Sequence, residues 1–305
     1  MIRVLTAGET MALFDPAGSL EYGTTFTLRM GGAESNVAIA LSRLGIGVRW
    51  ISRLGEDELG DMVLATLEAE GVDTSYVQRD HSRPTALFLK IRREGSSEPR
   101  YYRTGSAASE LAVGDAPPEA LAGIELVHLT GITMALSPSA RTFCVDLARW
   151  AHEAGIKVVF DPNFRGDLWA RPKDAAAAFA EVLPLADWVL CGESEAKLLG
   201  YGADPEAAAT ALRAAGATGA VVRSGRDGAL LAVDGRRTLS PPPRLVDVVD
   251  EIGAGDAFAA GFIFGLLDGR DPEAALGCAH GLAAAALQGT GDWETLPHKI
   301  DAPFA

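Results

Sequence analysis

The chain has 305 residues, 48% of them hydrophobic and 22% charged, with a formal net charge of −14. So acidic a composition argues against a nucleic-acid partner, which demands basic patches, yet a small anionic substrate needs only a few local cations. Three scattered cysteines with no CxxC pair (Cys144, Cys191, Cys278) and an N-terminus without a long apolar run predict a cytoplasmic protein.

In chain order, IRVLTAG reads as a strand. Residues 10–30, TMALFDPAGSLEYGTTFTLRM, read as two strands around a turn. ESNVAIALSRLG reads as a helix closed by Gly45, VRWISRLG as the next strand, and LGDMVLATLEAEG as a helix ending at Gly71. Residues 84–104, PTALFLKIRREGSSEPRYYRT, read as a hairpin with Gly95, Ser96 and Ser97 near its tip. LVHLTG, ARTFCVDLARWAHEAG and KVVFDPN then give strand, helix, strand, and ADWVLCG, PEAAATALRAAG and GAVVRSG repeat the series. SPPPR (240–244) is a stiff connector leading into a strand, RLVDVVD. Apolar strands linked by crossover helices predict an α/β fold with a parallel sheet and functional residues at the C-terminal strand ends. The two β-rich segments, 10–30 and 84–104, predict a small antiparallel sheet inserted as a lid. The most apolar helix, AFAAGFIFGLL, is about half of what a bilayer needs, so no membrane partner is expected.

The stretch DEIGAGDAFAAGF (250–262) places two glycines and an aspartate at the mouth of that helix. A glycine turn before a helix leaves backbone N–H groups unsatisfied, and these together with the helix dipole favour an anion. Asp256 carries the wrong charge for a phosphate ligand but suits a base that takes a proton from an attacking hydroxyl. The same pattern also suits an ordinary N-terminal helix cap. No Gly-Lys-Ser/Thr follows, so the turn is not a P-loop.

VVDEIGAGDAFAAGF resembles the second signature of the PfkB, or ribokinase-like, carbohydrate kinases, and MGGAESNVAIALSRLGIGVRWISRLGEDELG (30–60) resembles the first. Within that family, TAGETMALF, RYYRTGSAAS and VFDPNFRGDLW are most similar to the branch acting on 2-keto-3-deoxygluconate. The resemblance implies one ribokinase-like domain over 1–305: a three-layer αβα sandwich with a mainly parallel central sheet and a small β-sheet lid. It also implies an ATP-dependent kinase of the terminal hydroxyl of that acid or a close relative, gluconate- or galactonate-derived.

For the site, the resemblance implies an anion hole from the backbone of Gly253, Ala254 and Gly255, with Asp256 as catalytic base. It assigns the sugar to Gly32, Asn36, Phe88, Tyr101, Arg103, Ile132 and Arg165. Tyr101 and Arg103, two apart on a strand, share one face, and the arginine fork suits the carboxylate of an acidic sugar. Salt bridges to the chain's own acids are the competing reading of both arginines. Phe88 stands where the relatives often carry Tyr. The nucleotide site would use Ser224, Gly225 and Gly228, with His280 beside the adenine. Mg²⁺ is expected with ATP; Glu195 keeps the last position of an N-x-x-E motif whose Asn is here Gly192, and would order the ion through water. Asp250 and the carbonyl of Ile252 match a loop that holds a monovalent cation in relatives, K⁺, with Gly289 and Gly291 closing it. Alternatives are a kinase of a neutral sugar or nucleoside, and a non-catalytic sensor on the same fold. An inserted sheet with open edges further predicts a homodimer or higher homo-oligomer through the lid.

Overall fold

The computed structural model describes residues 1–93, 96–242 and 246–299. The expected hairpin tip at Gly95, the end of the connector at 243–244 and Leu245 of RLVDVVD lie outside these residues. The first half runs β1 (Ile2–Ala7), β2 (Met11–Pro16), β3 (Phe26–Gly31), α1 (Ala33–Arg43), β4 (Gly47–Ile51), β5 (Arg53–Gly55), α2 (Glu58–Ala69), β6 (Gln78–Asp80), β7 (Leu87–Arg93) and β8 (Ser96–Tyr102). It continues with β9 (Leu126–Thr130), α3 (Gly131–Leu136), α4 (Pro138–Glu153), β10 (Lys157–Asp161), α5 (Pro172–Phe179), β11 (Trp188–Gly192), α6 (Glu193–Leu199) and α7 (Pro205–Ala214). Then come β12 (Gly219–Arg223), β13 (Ala229–Val233), β14 (Arg236–Ser240), α8 (Ala254–Leu267) and α9 (Pro272–Ala286).

The central sheet has the order β14-β13-β12-β11-β10-β9-β1-β4. Its strands are parallel from β4 through β12, and β13 and β14 close one edge as antiparallel strands. Alternate residues of each strand feed two separate cores. Val159, Leu190 and Val221 face α1, α2, α8 and α9, while Val158, Phe160, Val189 and Val222 face α4, α5, α6 and α7. This period of two, with apolar residues on both faces, explains the unbroken hydrophobic runs of these strands. The result is the expected three-layer sandwich.

The lid is a second sheet of order β3-β2-β7-β8. Its two excursions from the chain are joined by parallel pairing of β2 with β7, Leu13 opposite Phe88. Met11, Leu13, Ala86 and Phe88 form its own small core. Three expectations need correction. The lid sheet is mixed rather than antiparallel, because β2 and β7 run parallel at its centre. VRWISRLG is not one strand: the chain leaves the central sheet at Ser52, and β5 pairs instead with β6. RLVDVVD is not a strand within the described residues. Residues 246–250 pair with no strand among the described residues; Val249 N–H donates instead to Leu287 O at 2.8 Å.

Candidate active site

Helix α8 is apolar around its whole circumference and buried from Ala257 to Gly265, so its position is fixed by the core rather than by a surface stripe. Its N-terminus is left uncapped by any side chain: Gly253 occupies the cap position in the left-handed region at φ 77°. A Cβ there would fall 2.0 Å from the carbonyl oxygen of Asp292, so two constraints demand glycine at once. By contrast, α2, α4, α7 and α9 are capped by Asp57, Ser137, Asp204 and Asp271. The Ala254 N–H makes only a long 3.4 Å contact to Glu251 O, and the N–H groups of Gly255 and Asp256 have no helical carbonyl to meet. The turn therefore presents donors and a positive dipole end to whatever lies before it. Replacing Gly253 by Ala should lower stability by roughly 1–3 kcal/mol, the range for forced backbone strain, and depress turnover along with it. Thermal melts and kcat measured together check this, and an unchanged pair would refute it.

Asp256, in the first turn, lines one of two cavities that meet at the turn. The first, of about 720 Å³, lies under the lid. Gly32, Asn36, Phe88, Tyr101, Arg103, Ile132 and Arg165 all line it, as do Asp250, Ile252, Gly253 and Asp256. The second, of about 650 Å³, lies on the other side of the turn and is walled by Phe258, Ala283, Ala284, Leu287 and His280, with Gly225 and Gly228 at its polar end. Gly255 and Arg223 border both. Ser224 borders neither; its N–H closes the turn onto Gly228 O at 2.8 Å. His280 donates from Nε2 to Ser240 O (3.0 Å) and packs edge-on against Phe258, so it is as much a packed residue as a cavity wall.

The Asp256 carboxylate is held by two amides. Asn36 donates to Oδ2 at 2.8 Å and Asn163 to Oδ1 at 3.4 Å. Burial pushes its carboxyl up to about 6, while the bond from Asn36 and the charge of Arg165 pull the other way. Asn36 also reaches Asp292 at 3.3 Å, another buried carboxyl lifted by burial, to about 7. Behind them Glu34 is fully buried, receives the Thr130 and Thr133 hydroxyls at 2.6 Å each, and is likewise raised to about 7 by burial. Three carboxyls that burial raises well above their ordinary range thus gather near the mouth of α8.

The two arginines differ. Arg103 is bound to the buried Glu9 by Nε at 2.7 Å and Nη2 at 2.6 Å, and Ser106 completes Glu9 at 2.5 Å. Its charge is already compensated. Arg165 is exposed at the rim and makes no ion pair among the described residues. Tyr101 packs against Phe88 with ring centroids 5.6 Å apart and planes tilted by 38°. Gly32 caps α1 in an extended conformation; a Cβ would lie 2.3 Å from Glu9 O, so the glycine brings the backbone against the Glu9–Thr10 link that leads into β2.

Both cation expectations meet occupied ligands. Glu195 lines neither cavity: Oε2 accepts Gly192 N–H at 2.9 Å, and Oε1 accepts Phe164 N–H. It is a helix cap here and does not fit as a ligand of Mg²⁺. Asp250 is ion-paired with Lys90 of β7 at 2.5 Å. Asn163, Asp292, Glu9 and the Asp161–Arg223 ion pair (2.9 Å) are site residues that local pattern does not single out. Only Asn163 carries a signal: a residue at φ 39° after Asp-Pro, a position that Asn tolerates better than most.

Two cavities that meet at an uncapped helix N-terminus, with the half-buried Asp256 carboxylate on the wall of the lid-side one, define an enzyme that passes an anionic group from one bound molecule to another. The chain belongs to the pfkB family of carbohydrate kinases, whose description, "pfkB family carbohydrate kinase", matches residues 1–299. It is similar to the 2-dehydro-3-deoxygluconokinase of Bacillus subtilis, 36% identical over 302 residues, covering 98% of this chain and 93% of the relative. It is similar also to the 2-dehydro-3-deoxygalactonokinase of Haloferax volcanii, 36% identical over 299 residues and covering 94% and 91%. Among solved structures, the fructokinase with bound ATP from Xylella fastidiosa superposes with a TM-score of 0.87 at 26% identity, covering 98% and 96%. The chain is thus an ATP-dependent sugar kinase.

Proposed function

We propose that this kinase phosphorylates the terminal hydroxyl of 2-keto-3-deoxygluconate or of the corresponding galactonate-derived acid. The observation that carries the reading is Arg165, the uncompensated guanidinium of the lid-side cavity, facing a wall that ends in Asp256. A planar fork suits a carboxylate, and the names of the two relatives point to the same class of acid. On this reading the acid lies under Phe88 and Tyr101 with its carboxylate on Arg165. Its distal hydroxyl reaches Asp256 and gives up its proton to the carboxylate as the new oxygen–phosphorus bond forms. The bond from the γ-phosphorus to ADP breaks, and the N–H groups at Gly253, Ala254 and Gly255 hold the transferred group's charge throughout. Nucleotide fills the second cavity, its base against Phe258 and His280 and its phosphates toward Gly225 and Gly228, in a turn that Ser224 N–H closes from behind. Mg²⁺ arrives on the ATP phosphates rather than in a protein cage; among the described residues no three His, Cys, Asp or Glu side chains cluster as a metal site. The reaction takes place in the cytoplasm, where ATP is supplied. Phe26 and Leu28 on β3, and Tyr102 on β8, are more than a third exposed, and a second copy covering them would make the lid a dimer interface.

A neutral-sugar kinase is the second reading, favoured by the compensation of Arg103 by Glu9. A panel of both keto-deoxy acids, fructose, ribose and nucleosides, read by coupled ADP release, decides between them. The acids should lead by roughly tenfold or more in kcat/KM, the worth of one charge-assisted contact. A neutral sugar that matches them overturns the proposal.

A further inference from the structure

Both oxygens of Asp250 are occupied. Oδ1 accepts Ile252 N–H at 3.2 Å, and Oδ2 holds the ammonium of Lys90 at 2.5 Å. Lys90 comes from the lid, 160 residues away in sequence, on the same face of β7 as Phe88. Its side chain is 6% exposed. Taking an ammonium out of water is costly unless a partner compensates it, so this pair is a commitment of the folded cleft and not a surface contact. Its charge also reaches Asp292, which it pulls downward against burial. Asp250 in turn stands three residues before Gly253, and the Asp250–Ile252 bond shapes the backbone that enters the glycine turn.

A K⁺ ion liganded by Asp250 and the Ile252 carbonyl does not fit these residues. The carboxylate's free oxygen is filled, and an ammonium 2.5 Å away repels a second cation. Resting on the kinase reading of this site, we propose that Lys90 is the resident cation of this loop. It is a positioning residue that acts through Asp250 to set the turn at Gly253–Gly255, and it makes turnover independent of K⁺. Because Lys90 rides on the lid, setting the lid and setting the anion hole are one event. A lid held away from the sugar leaves the turn without its cation, which withholds the transfer geometry until the acceptor is in place.

The test uses the whole enzyme with a keto-deoxy acid and ATP in tetramethylammonium buffer. Wild-type kcat should be unchanged on adding KCl. Lys90→Met should lower kcat by roughly tenfold to a hundredfold, the scale for misplacing a reacting group, with KM for ATP nearly unaltered, and KCl should restore part of the loss. Lys90→Arg, which keeps the charge, should work without KCl. A wild type activated severalfold by KCl, a Lys90→Met enzyme with full kcat, or a loss that KCl does not touch each overturns the assignment. Hydrogen exchange of residues 246–256 without any substrate gives an independent reading: Lys90→Met should exchange faster there, and equal rates count against the link. Should no acid be turned over by the wild type, the sugar-acid reading falls, while the exchange comparison still judges the Lys90–Asp250 connection.

Discussion

Asp256→Asn should keep the fold and nucleotide binding and lose roughly 10²- to 10⁴-fold in kcat, the worth of a positioned proton acceptor. The loss belongs in kcat rather than KM, because the proton moves only as the oxygen–phosphorus bond forms. The wild-type kcat should also fall on the acid side with a midpoint near the raised value of about 6, since only the carboxylate can accept the proton. Stability carries a second signature. A carboxyl whose folded value lies above its ordinary 3.8 favours the folded state while protonated, and this contribution disappears as pH rises from 3.8 through about 6. The amide variant has no such titration. Its melting temperature relative to wild type should therefore be higher at pH 7.5 than at pH 4, by up to roughly 3 kcal/mol in free energy. Asn36 and Asn163 both donate to this carboxylate, so the amide meets one of them donor to donor, but that penalty does not vary with pH. Near-normal kcat at saturating substrate would remove Asp256 from the chemistry.

Arg165→Ala should raise KM for the keto-deoxy acid about ten- to a hundredfold, following the roughly 1.5–3 kcal/mol of a charged hydrogen bond, and leave KM for ATP nearly unchanged. Arg165→Lys should recover part of it, because an ammonium cannot make a two-pronged contact. The decisive comparison changes the substrate as well. The analogue with its carboxylate reduced to an alcohol should be poor for the wild type and almost indifferent to Arg165→Ala, since the partner is already gone. Equal losses for both substrates make Arg165 structural and promote the neutral-sugar kinase. Arg103→Ala answers a different question. It strands the buried carboxylate of Glu9, so its cost falls first on stability.

Much of the fold was legible because it rests on local pattern. Apolar runs of β9, β10 and β11 and the Ser137-capped α4 between the first two need no distant information. The glycine turn at 253–255 was legible for the same reason: its chemistry is written within four residues. The ion pairs were not. Glu9 meets Arg103 across 94 positions and Lys90 meets Asp250 across 160, and nothing in either neighbourhood announces the partner. Charges placed by the fold thus changed the reading of Arg103 and Asp250, though each residue lies in the cavity to which its motif assigns it. The segment 246–250 shows the opposite error, a strand-like pattern whose valines border a cleft instead of a sheet. Val248 and Val249 remain 54% and 58% exposed.

The lid hangs on four strands of chain, not two. Residues 8–10 lead into it and Gly32 leads out; residues 81–86 lead in again and 103–106 leave. Since β2 and β7 are hydrogen-bonded to each other, neither excursion can swing alone. Such a plate with four tethers has few mechanical freedoms left. It can rock about a line through its anchorages, but it cannot peel open from one end. Rocking carries Phe88 and Lys90 through the same small arc, so the roof over the acceptor and the charge on the glycine turn keep step as parts of one rigid body.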